Sequence, residues 1–402
     1  MNKSQADHLL FVAHKPDIVF SKGKGSYLWD TDGKQYLDFI NGWAVNCYGH
    51  SPAFLADALK RQANRLINAS PSFYNDIQIK YADLLCGVSS YDKAFFCPTG
   101  AEANECAIKL ARKYGSIHKN GAHEIITLKK SFHGRTLSTM SASGKEKFKS
   151  LFEPKVPGFV HVDINDFDAL ENAVTANTCA VMMEPVQGEG GVYEIDRQYI
   201  EQVSALCKRN NILLIFDEIQ TGLGRTGKLF CYEHFGVLPD IMTLGKGIGG
   251  GYPLAAMLCK KELDIFEAGD QGGTYSAVSL SMAAGHAVLT KILKDKLWEN
   301  ANEMGNAIMF RLHELAQQYG LSEIRGKGLI IAFDMERQDT AEFVTLCRGI
   351  GLLINSPQPG TIRIIPALNI TKRHVDEFFQ LLTRGFAMWK LQTKAEPVTE
   401  RC

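Results

Sequence analysis

Two charged side chains follow apolar runs of strand length in the middle of the chain. Asp217 comes directly after the run "ILLIF", and Lys246 follows the run "DIMTL" by one glycine. If both runs are parallel strands, their carboxyl ends meet at one edge of the sheet, where sites in such folds lie. One interpretation of the two residues is a structural ion pair between neighbouring strands. The other is an active site that contains an amine and a carboxylate.

The second interpretation matches what pyridoxal phosphate requires of a protein. That cofactor needs a lysine for its aldehyde and an acid for its ring nitrogen. Asp217 would favour the protonated ring, which accepts the electrons released when a substrate C–H bond breaks. Lys246 would then move the proton between substrate and cofactor, provided that its surroundings lower its pKa from the usual value of about 10.4. The two residues alone leave both interpretations open.

The cofactor's phosphate would need donors of its own. The amides of Gly100 and Ala101 open the helical segment "GAEANECAIKLARKYG", and the Thr99 hydroxyl stands beside them. These groups can supply hydrogen bonds to a dianion at a helix start. An ordinary helix cap by Thr99 uses the same groups, so the local pattern does not separate the two interpretations.

Aromatic and basic side chains follow the predicted strand "EIITL" in the stretch "KKSFHGRT". Phe132 could stack on a ring, and Arg135 could hold a carboxylate. Taken alone, Phe132 would be a core residue and Arg135 a surface charge. We interpret His133 as a neutral packing or orienting residue.

Two glycine-rich loops near these residues resemble nucleotide-binding motifs but lack their context. Gly222, Gly227 and Lys228 fit G-x-x-x-x-G-K. However, Leu229 stands where a P-loop has the Ser or Thr that binds magnesium, and no convincing helix follows. The stretch "GKGIGGGYPLAAML" matches G-x-G-x-x-G, but Pro253 and "LAAMLC" predict a turn and another strand instead of a helix. A P-loop protein remains a rival hypothesis, which magnesium-dependent ATP binding would support.

The composition favours small-molecule chemistry. The chain has 402 residues, and 44 Lys and Arg balance 44 Asp and Glu, so no net field attracts nucleic acid or an anionic membrane. The ten cysteines are scattered without metal-ligand spacing, and we expect buried thiols in a reducing cytoplasm and no metal site. The run "LLFVA" is too short for a signal peptide or a membrane span, so we expect a cytoplasmic protein.

Strand-length apolar runs alternate with helical patterns along most of the chain. The runs "KAFFC", "EIITL", "CAVMM", "ILLIF" and "DIMTL" predict an α/β fold with a mostly parallel sheet covered by helices on both faces. From about Trp298 onward, helical patterns precede "KGLIIAFDM" and "TIRIIPAL", which predict a smaller α+β domain. We expect residues 1–50 to join that small domain, residues 51–297 to form the large cofactor-binding domain, and residues 298–402 to form the small one.

Six stretches together resemble the class III pyridoxal-phosphate aminotransferases. They are "PTGAEANECAIKLARKY", "FHGRT", "EPVQGEGGV", "DEIQTGLGRTGK", "PDIMTLGKGIGGGYPLAAM" and "TIRIIPAL". The resemblance covers most of the chain in the expected order. It implies the type I aminotransferase fold and a homodimer with active sites at the subunit interface. It also favours the cofactor interpretation of Lys246 over the ion pair.

The resemblance implies cofactor-binding roles for single residues. Lys246 corresponds to the lysine that binds the cofactor's aldehyde, and Asp217 corresponds to the partner of the ring nitrogen. Gln220 would reach the phenolic oxygen, with Glu218 beside it in the same "DEIQ" motif. Thr274 would be a phosphate ligand lent by the other subunit. The remaining cofactor-binding positions are Thr99, Gly100, Ala101 and Phe132.

The resemblance also implies how substrates bind. Arg135 and Arg363 correspond to carboxylate-binding arginines, and Glu189 to an acid that can pair with Arg363. Within the family, the motifs are most similar to members that transfer the terminal amine of N-acetylornithine to 2-oxoglutarate in arginine biosynthesis. Glu189 would mask Arg363 for the amine donor, and a keto-acid carboxylate would compete for Arg363 while the other carboxylate takes Arg135. An exposed edge-strand charge remains the alternative for Arg363.

Several positions depart from the common family pattern. Pro98 replaces the usual Asn, "GHSP" is one residue shorter than usual, and "TYSAVSL" differs from the usual sequence after Thr274. Trp43 stands near a tyrosine of ornithine δ-aminotransferases that contacts a free α-amine. Because an indole only donates hydrogen bonds, Trp43 favours an acylated substrate, unless it is a packing residue. Succinylornithine, ornithine, acyl-diaminopimelate and 4-aminobutyrate are alternative amine donors, and a catalytically silent transaminase-like dimer is an alternative from another class.

Overall fold

The computed structural model describes residues 8–395, and it describes side chains as far as residue 391. Its strands form four sheets, the largest of which has seven strands. The strands are β1 (Phe20–Lys24), β2 (Tyr27–Asp30), β3 (Gln35–Asp38), β4 (Lys93–Cys97), β5 (Glu124–Leu128), β6 (Phe159–Val162), β7 (Thr178–Met183), β8 (Val186–Gln187), β9 (Tyr193–Glu194), β10 (Leu213–Asp217), β11 (Ile241–Leu244), β12 (Ala255–Cys259), β13 (Leu321–Lys327), β14 (Ile330–Met335), β15 (Leu352–Leu353) and β16 (Thr361–Ile364).

The seven-stranded sheet has the order β4-β12-β11-β10-β7-β5-β6. Its neighbouring strands are parallel except at β12, which is antiparallel to both β11 and β4. Every residue of β7, β10 and β11 is buried, as expected for strands covered on both faces. The predicted α/β fold with a mostly parallel sheet is confirmed, and all five predicted strands belong to this sheet.

The helices cover this sheet and form much of the C-terminal part. The longest helix that packs directly on the sheet, α4, has 19 residues and contacts β11 and β12. Its apolar face includes Ala103, Ala107, Leu110 and Ala111, all buried. The helices are α1 (Asn41–Ala44), α2 (Ala53–Ala63), α3 (Asp76–Val88), α4 (Gly100–His118), α5 (Leu137–Ala142), α6 (Phe167–Ala173), α7 (Arg197–Asn210), α8 (Ser279–Asp295), α9 (Leu297–Tyr319), α10 (Thr340–Gly349) and α11 (Lys372–Ala395).

Two smaller sheets lie in the terminal parts of the chain. Strands β13, β14 and β16 form an antiparallel sheet, and β1, β2 and β3 form an antiparallel sheet that β15 extends. The pairing of β15 with β3 is parallel, with Leu352 opposite Leu37. The N-terminal segment therefore shares a sheet with the C-terminal part. The domain boundaries at residues 50 and 297 stay predictions.

The two glycine-rich loops do not form nucleotide-binding motifs. After β10, the loop that contains Lys228 leads into the short 3₁₀ turn Cys231–His234 instead of an α-helix. After Gly250, the chain enters β12. Both predictions from the sequence are confirmed, because each motif lacks the helix that it requires.

The nine cysteines among the described residues are free thiols, of which eight are buried and Cys86 is partly buried. Cys402 lies outside the described residues. Between residues 8 and 395 no helix is long and apolar enough to cross a bilayer. The same part of the chain contains no group of three or more His, Cys, Asp or Glu side chains that could hold a metal ion.

Candidate active site

Asp217 and Lys246 lie at the same edge of the central sheet. Asp217 is the last residue of β10, where it lies opposite Thr243 of the parallel strand β11. Lys246 follows the end of β11 after Gly245. Both side chains line one cavity of about 260 Å³. The cavity is also lined by Gly100, Ala101, Phe132, Arg135, Glu184 and Gln220.

The backbone at Lys246 adopts an uncommon conformation. Lys246 has φ of 47°, in the left-handed region that costs a side-chain-bearing residue about 1–2 kcal/mol. Such strain is often found at functional sites. The glycine-rich sequence suggests positive φ at the neighbouring glycines, but only Gly250 and Gly251 adopt it. Gly245 is required for space instead, because a Cβ there would meet the Ile219 side chain at 3.0 Å.

The Asp217 carboxylate is held by a buried hydrogen-bond network. Its Oδ2 atom lies 2.8 Å from Nδ1 of His133 and accepts a hydrogen bond of 2.8 Å from Nδ2 of Asn104. Its Oδ1 atom accepts the backbone amide of Ile219 at 3.1 Å. Thr243 donates to Oδ1 of Asn104 at 2.7 Å, which fixes the orientation of that amide. The carboxylate is therefore fixed in one orientation.

His133 is 1% exposed, and its charge is governed by Asp217. Burial acts to lower the pKa of His133, but the hydrogen bond and the negative charge of Asp217 outweigh burial and raise it. The direction of this shift is towards the protonated form of His133. The orienting role that the sequence also suggested agrees with the contact to Asp217.

The cavity shifts the pKa of an amine and of a second carboxyl towards neutrality. Burial lowers the pKa of Lys246 to about 8, although Glu189 and Asp217 act in the opposite direction. Burial raises the pKa of Glu184 to about 7, and this carboxyl accepts the backbone amide of Phe132 at 2.8 Å. A lysine with such a pKa can exist as the free amine near neutral pH, as a nucleophile or base requires.

The start of α4 forms another wall of the cavity. The Thr99 side chain caps this helix by accepting the amide of Glu102 at 3.3 Å. Because the first amides of a helix have no acceptor within the helix, those of Gly100 and Ala101 are suited to an anion. Gly100 is also required for close packing, since a Cβ there would meet the Ile219 side chain at 2.8 Å.

The residues of the cavity fit pyridoxal phosphate. Lys246 offers an amine, Asp217 an oriented acid, Phe132 an aromatic ring and the start of α4 an anion site. Gln220 is buried, and within residues 8–395 its Nε2 atom has no hydrogen-bond partner. A buried donor without a partner is costly, and the phenolic oxygen of the cofactor would supply an acceptor for it.

Arg363 and Glu189 form an ion pair beside this cavity. Arg363 lies on β16 with 0% exposure, and its NH1 atom is 2.7 Å from Oε1 of Glu189. The same nitrogen donates to the carbonyl of Gly188 at 2.8 Å and to Oε1 of Gln220 at 3.3 Å. Because the guanidinium is buried, the alternative of an exposed surface charge is wrong.

Glu189 lies in the hairpin between β8 and β9 and contacts a second cation. Its Oε2 atom is 3.4 Å from Nζ of Lys145. Burial acts to raise the pKa of Glu189, but the charges of Arg363 and Lys145 outweigh burial and lower it to about 2. Glu189 is therefore ionised throughout the range of pH in which the protein would work.

Six residues with expected roles are not among those that line the cavity: Thr99, Glu189 and Arg363, which lie beside it, and Glu218, Thr274 and Trp43. Glu218 points to the other side of the chain, where it accepts the amides of Cys231 and Tyr232 at 2.6 and 2.8 Å. The structure therefore does not support the expected contact between Glu218 and the cofactor. Successive side chains at a strand end face opposite ways, so Glu218 points away from the side that Asp217 faces. Thr274 is exposed, and Trp43 is 56% exposed on the left-handed turn α1.

The sequence interpretation missed several residues that support the site. Asn104 and Thr243 orient Asp217, Glu184 holds the amide of Phe132, and Lys145 contacts Glu189. One signal for Asn104 was available, since it is a polar residue beside the apolar face of α4.

Arg225 was also missed. It is 2% exposed, and it donates to the carbonyls of Leu329 and Pro366 at 2.9 and 2.6 Å. Burial lowers the pKa of Arg225 to about 10. In the sequence, the only notable feature of Arg225 is that it lies within the G-x-x-x-x-G-K pattern, which resembles a nucleotide-binding loop. The structure instead shows a residue that joins the loop after β10 to the C-terminal part of the chain.

Comparisons with known proteins agree with this fold. Residues 11–386 match the family model of the class III aminotransferases. Acetylornithine aminotransferase from Ralstonia nicotianae is 48% identical over 381 residues, which cover 93% of this chain and 96% of that protein. The structure of ornithine aminotransferase from Toxoplasma gondii has a TM-score of 0.92 at 32% identity, covering 97% of this chain and 95% of that one. The structure of acetylornithine aminotransferase from Elizabethkingia anophelis has a TM-score of 0.85 at 30% identity, covering 96% and 98%.

The chain belongs to the class III aminotransferases, which are pyridoxal-phosphate-dependent enzymes. The family, fold class, enzyme class and cofactor that the sequence predicted are thereby confirmed.

Proposed function

We propose that this enzyme transfers the terminal amine of N-acetylornithine to 2-oxoglutarate, giving N-acetylglutamate semialdehyde and glutamate. The observation that carries the proposal is the buried ion pair of Glu189 and Arg363 beside the cavity of Lys246. The similarity to proteins named acetylornithine aminotransferase, such as that of Ralstonia nicotianae, supports this choice of amine donor.

Lys246 and Asp217 carry the chemistry common to both halves of the reaction. When bound, pyridoxal phosphate supplies the aldehyde that receives the amine and a ring that takes up electrons from a broken C–H bond. Asp217, whose carboxylate is oriented by His133 and Asn104, would be the partner of the ring nitrogen. Lys246, whose pKa burial lowers to about 8, accepts a proton from the substrate carbon and returns it.

In the first half of the reaction, Glu189 neutralises Arg363 while the amine donor is bound. The donor's single carboxylate binds Arg135, which is exposed and lines the cavity. In the second half, 2-oxoglutarate brings two carboxylates. One binds Arg135, and the other competes with Glu189 for the fork of donors on Arg363. One pocket thus accepts an amine donor and a keto acid of different charge.

Trp43 supports an acylated amine donor. It has φ of 59° in the turn α1. Three residues after this turn, Sγ of Cys47 donates to the carbonyl of Gly247 in the Lys246 loop at 3.3 Å. We propose that the Trp43 indole disfavours a free α-ammonium group, because its N–H cannot accept a hydrogen bond.

We also propose that the enzyme is a homodimer with shared active sites. Large exposed apolar side chains mark interaction surfaces, and Ile67, Phe73, Tyr74 and Tyr275 are 57%, 70%, 86% and 65% exposed. Thr274 lies beside Tyr275 and would complete the phosphate site of the other subunit. The free thiols fit a reducing compartment, and we propose a cytoplasmic role in arginine biosynthesis.

A half-reaction screen tests the choice of substrate. The holoenzyme is mixed separately with N-acetylornithine, N-succinylornithine, ornithine, acyl-diaminopimelate and 4-aminobutyrate, and its conversion to the pyridoxamine form is followed by absorbance. We expect N-acetylornithine to react fastest. If ornithine or 4-aminobutyrate reacts far faster than the acylated amines, the proposed substrate is wrong. If no amine reacts with the cofactor-loaded protein, the catalytically silent alternative is correct.

A further inference from the structure

Glu189 divides its carboxylate between two cations. Its Oε1 atom is 2.7 Å from NH1 of Arg363, and its Oε2 atom is 3.4 Å from Nζ of Lys145. The side chains of Lys145 and Glu189 are 19% and 22% exposed, whereas that of Arg363 is fully buried. Arg363 is therefore the primary partner of Glu189 in this arrangement. Lys145 is a secondary partner, because its distance to the carboxylate is longer.

Lys145 extends from a fixed segment of backbone at the edge of the cavity. The preceding residue, Gly144, donates its amide to Oγ of Ser131 at 3.0 Å and accepts the amide of Lys130 at 2.8 Å. The ammonium group of Lys145 lies 5.0 Å from the centre of the Phe132 ring. In the described part of the chain, Glu189 is the one acid within 4 Å of this ammonium group. Lys145 is thus positioned to act on Glu189.

The second half of the proposed reaction requires Glu189 to release Arg363. A partly buried carboxylate that loses its partner incurs a desolvation cost without a compensating attraction. Lys145 can remove that cost, because its contact with Glu189 only has to shorten from 3.4 Å to an ordinary charge-assisted hydrogen bond of about 2.8 Å. Arg363 is meanwhile ready for a new partner, since its NH2 atom is buried without an acceptor among the described residues.

We propose that Lys145 is the alternate partner of Glu189 and holds that carboxylate away from Arg363 while the keto acid is bound. This inference rests on the proposed two-substrate function. Lys145 is then a positioning residue that sets the affinity for the dicarboxylate, with little influence on the amine donor. With the amine donor bound, Glu189 retains Arg363 even if Lys145 is removed. With the keto acid bound, Lys145 is the partner that remains.

The test compares Lys145→Met and Lys145→Arg with a matched control, Lys149→Met. Lys149 is 69% exposed and pairs with Glu146 instead of Glu189. Binding of glutarate, a dicarboxylate that cannot be transaminated, is measured on each holoenzyme by calorimetry, and KM is measured for the keto acid and for the amine donor. In Lys145→Met we expect the Kd of glutarate and the KM of the keto acid to rise about tenfold, as for a partly buried charge pair. The KM of the amine donor should change less than about twofold, since Arg363 still pairs with Glu189.

Lys145→Arg should restore most of the dicarboxylate affinity, and Lys149→Met should behave as the wild type. Each substitution is then repeated in a Glu189→Gln background. If Lys145 acts through Glu189, its removal should have no further effect on glutarate binding there. An undiminished tenfold loss in that background would overturn the proposal, because Lys145 would then bind the substrate directly. Unchanged glutarate binding in Lys145→Met would also overturn it. If the wild type fails to use N-acetylornithine, the proposed function fails, while the glutarate measurements still test Lys145.

Discussion

The imidazole of His133 and the carboxylate of Asp217 form a buried pair, with Nδ1 of His133 2.8 Å from Oδ2 of Asp217. The two side chains are 0% and 3% exposed. His133 and Asn104 hold this carboxylate away from water and leave it oriented towards the cavity of Lys246.

Replacing Asp217 by Asn should preserve the shape of the site and remove its charge. We expect the rate of the amine half-reaction to fall about 100-fold or more, as when an oriented electrostatic group is lost from an active site. Single-turnover absorbance measurements on the cofactor-loaded variant check this. A rate within threefold of the wild type would show that the ring nitrogen does not depend on Asp217.

His133→Gln should lower the free energy of unfolding by an amount that depends on pH. Because Asp217 raises the pKa of His133 in the folded state, the imidazolium contributes stability below its unfolded pKa of about 6.5, and this contribution is lost as pH rises through the folded pKa. We expect a loss on the order of 3 kcal/mol at pH 6 and a smaller loss at pH 9, measured by urea unfolding.

His161→Gln is the control for this pH dependence. Burial lowers the pKa of His161, so the protonated form destabilises the folded state as pH falls below about 6.5. The cost of His161→Gln should therefore be smaller at pH 6 than at pH 9, the reverse of His133→Gln. A loss in His133→Gln that does not vary with pH would contradict the charged pair.

Gly188→Ala should damage cofactor binding more than folding. A Cβ at Gly188 would lie 1.6 Å from Oε1 of Gln220, so the end of that side chain has to move. We expect the Kd of pyridoxal phosphate to rise about tenfold, equivalent to the loss of one hydrogen bond, with the thermal midpoint changed by only a few degrees. Gly87→Ala is the matched control, since no atom lies within 4 Å of a Cβ there. Equal cofactor affinities in the two variants would argue against a role for Gln220.

Glu189→Gln should impair the discrimination between the amine donor and the keto acid. A neutral amide cannot neutralise Arg363, so the unpaired guanidinium should bind dicarboxylates about tenfold more tightly in competition with the amine donor. Inhibition of the amine half-reaction by glutarate measures this effect. Equal damage to cofactor binding and to substrate discrimination would remove the argument for a switch.

The central sheet and the position of Lys246 could be predicted because both depend on local patterns. The runs before Asp217 and Lys246 are mostly apolar and of strand length, and in the structure they form the adjacent parallel strands β10 and β11. A charged residue just beyond such a run must lie near the sheet edge. The position of charged site residues that follow a strand can therefore be predicted from the sequence.

Contacts between distant elements could not be predicted in the same way. Thr243 orients Asn104, which is 139 positions away in the sequence. Lys145 contacts Glu189, which is 44 positions away. These distances depend on how a helix or hairpin packs against the sheet, which periodicity does not encode. Glu218 shows the same limit at short range, because its position next to Asp217 suggested a shared cavity although the two side chains diverge.

The most direct test of the whole account is chemical trapping at Lys246. The holoenzyme is reduced with borohydride and digested, and its peptides are analysed by mass spectrometry. We predict a phosphopyridoxyl group on the peptide that contains Lys246 and none in Lys246→Ala treated in the same way. Attachment to a different lysine, or no attachment in a protein that has bound the cofactor, would contradict the account.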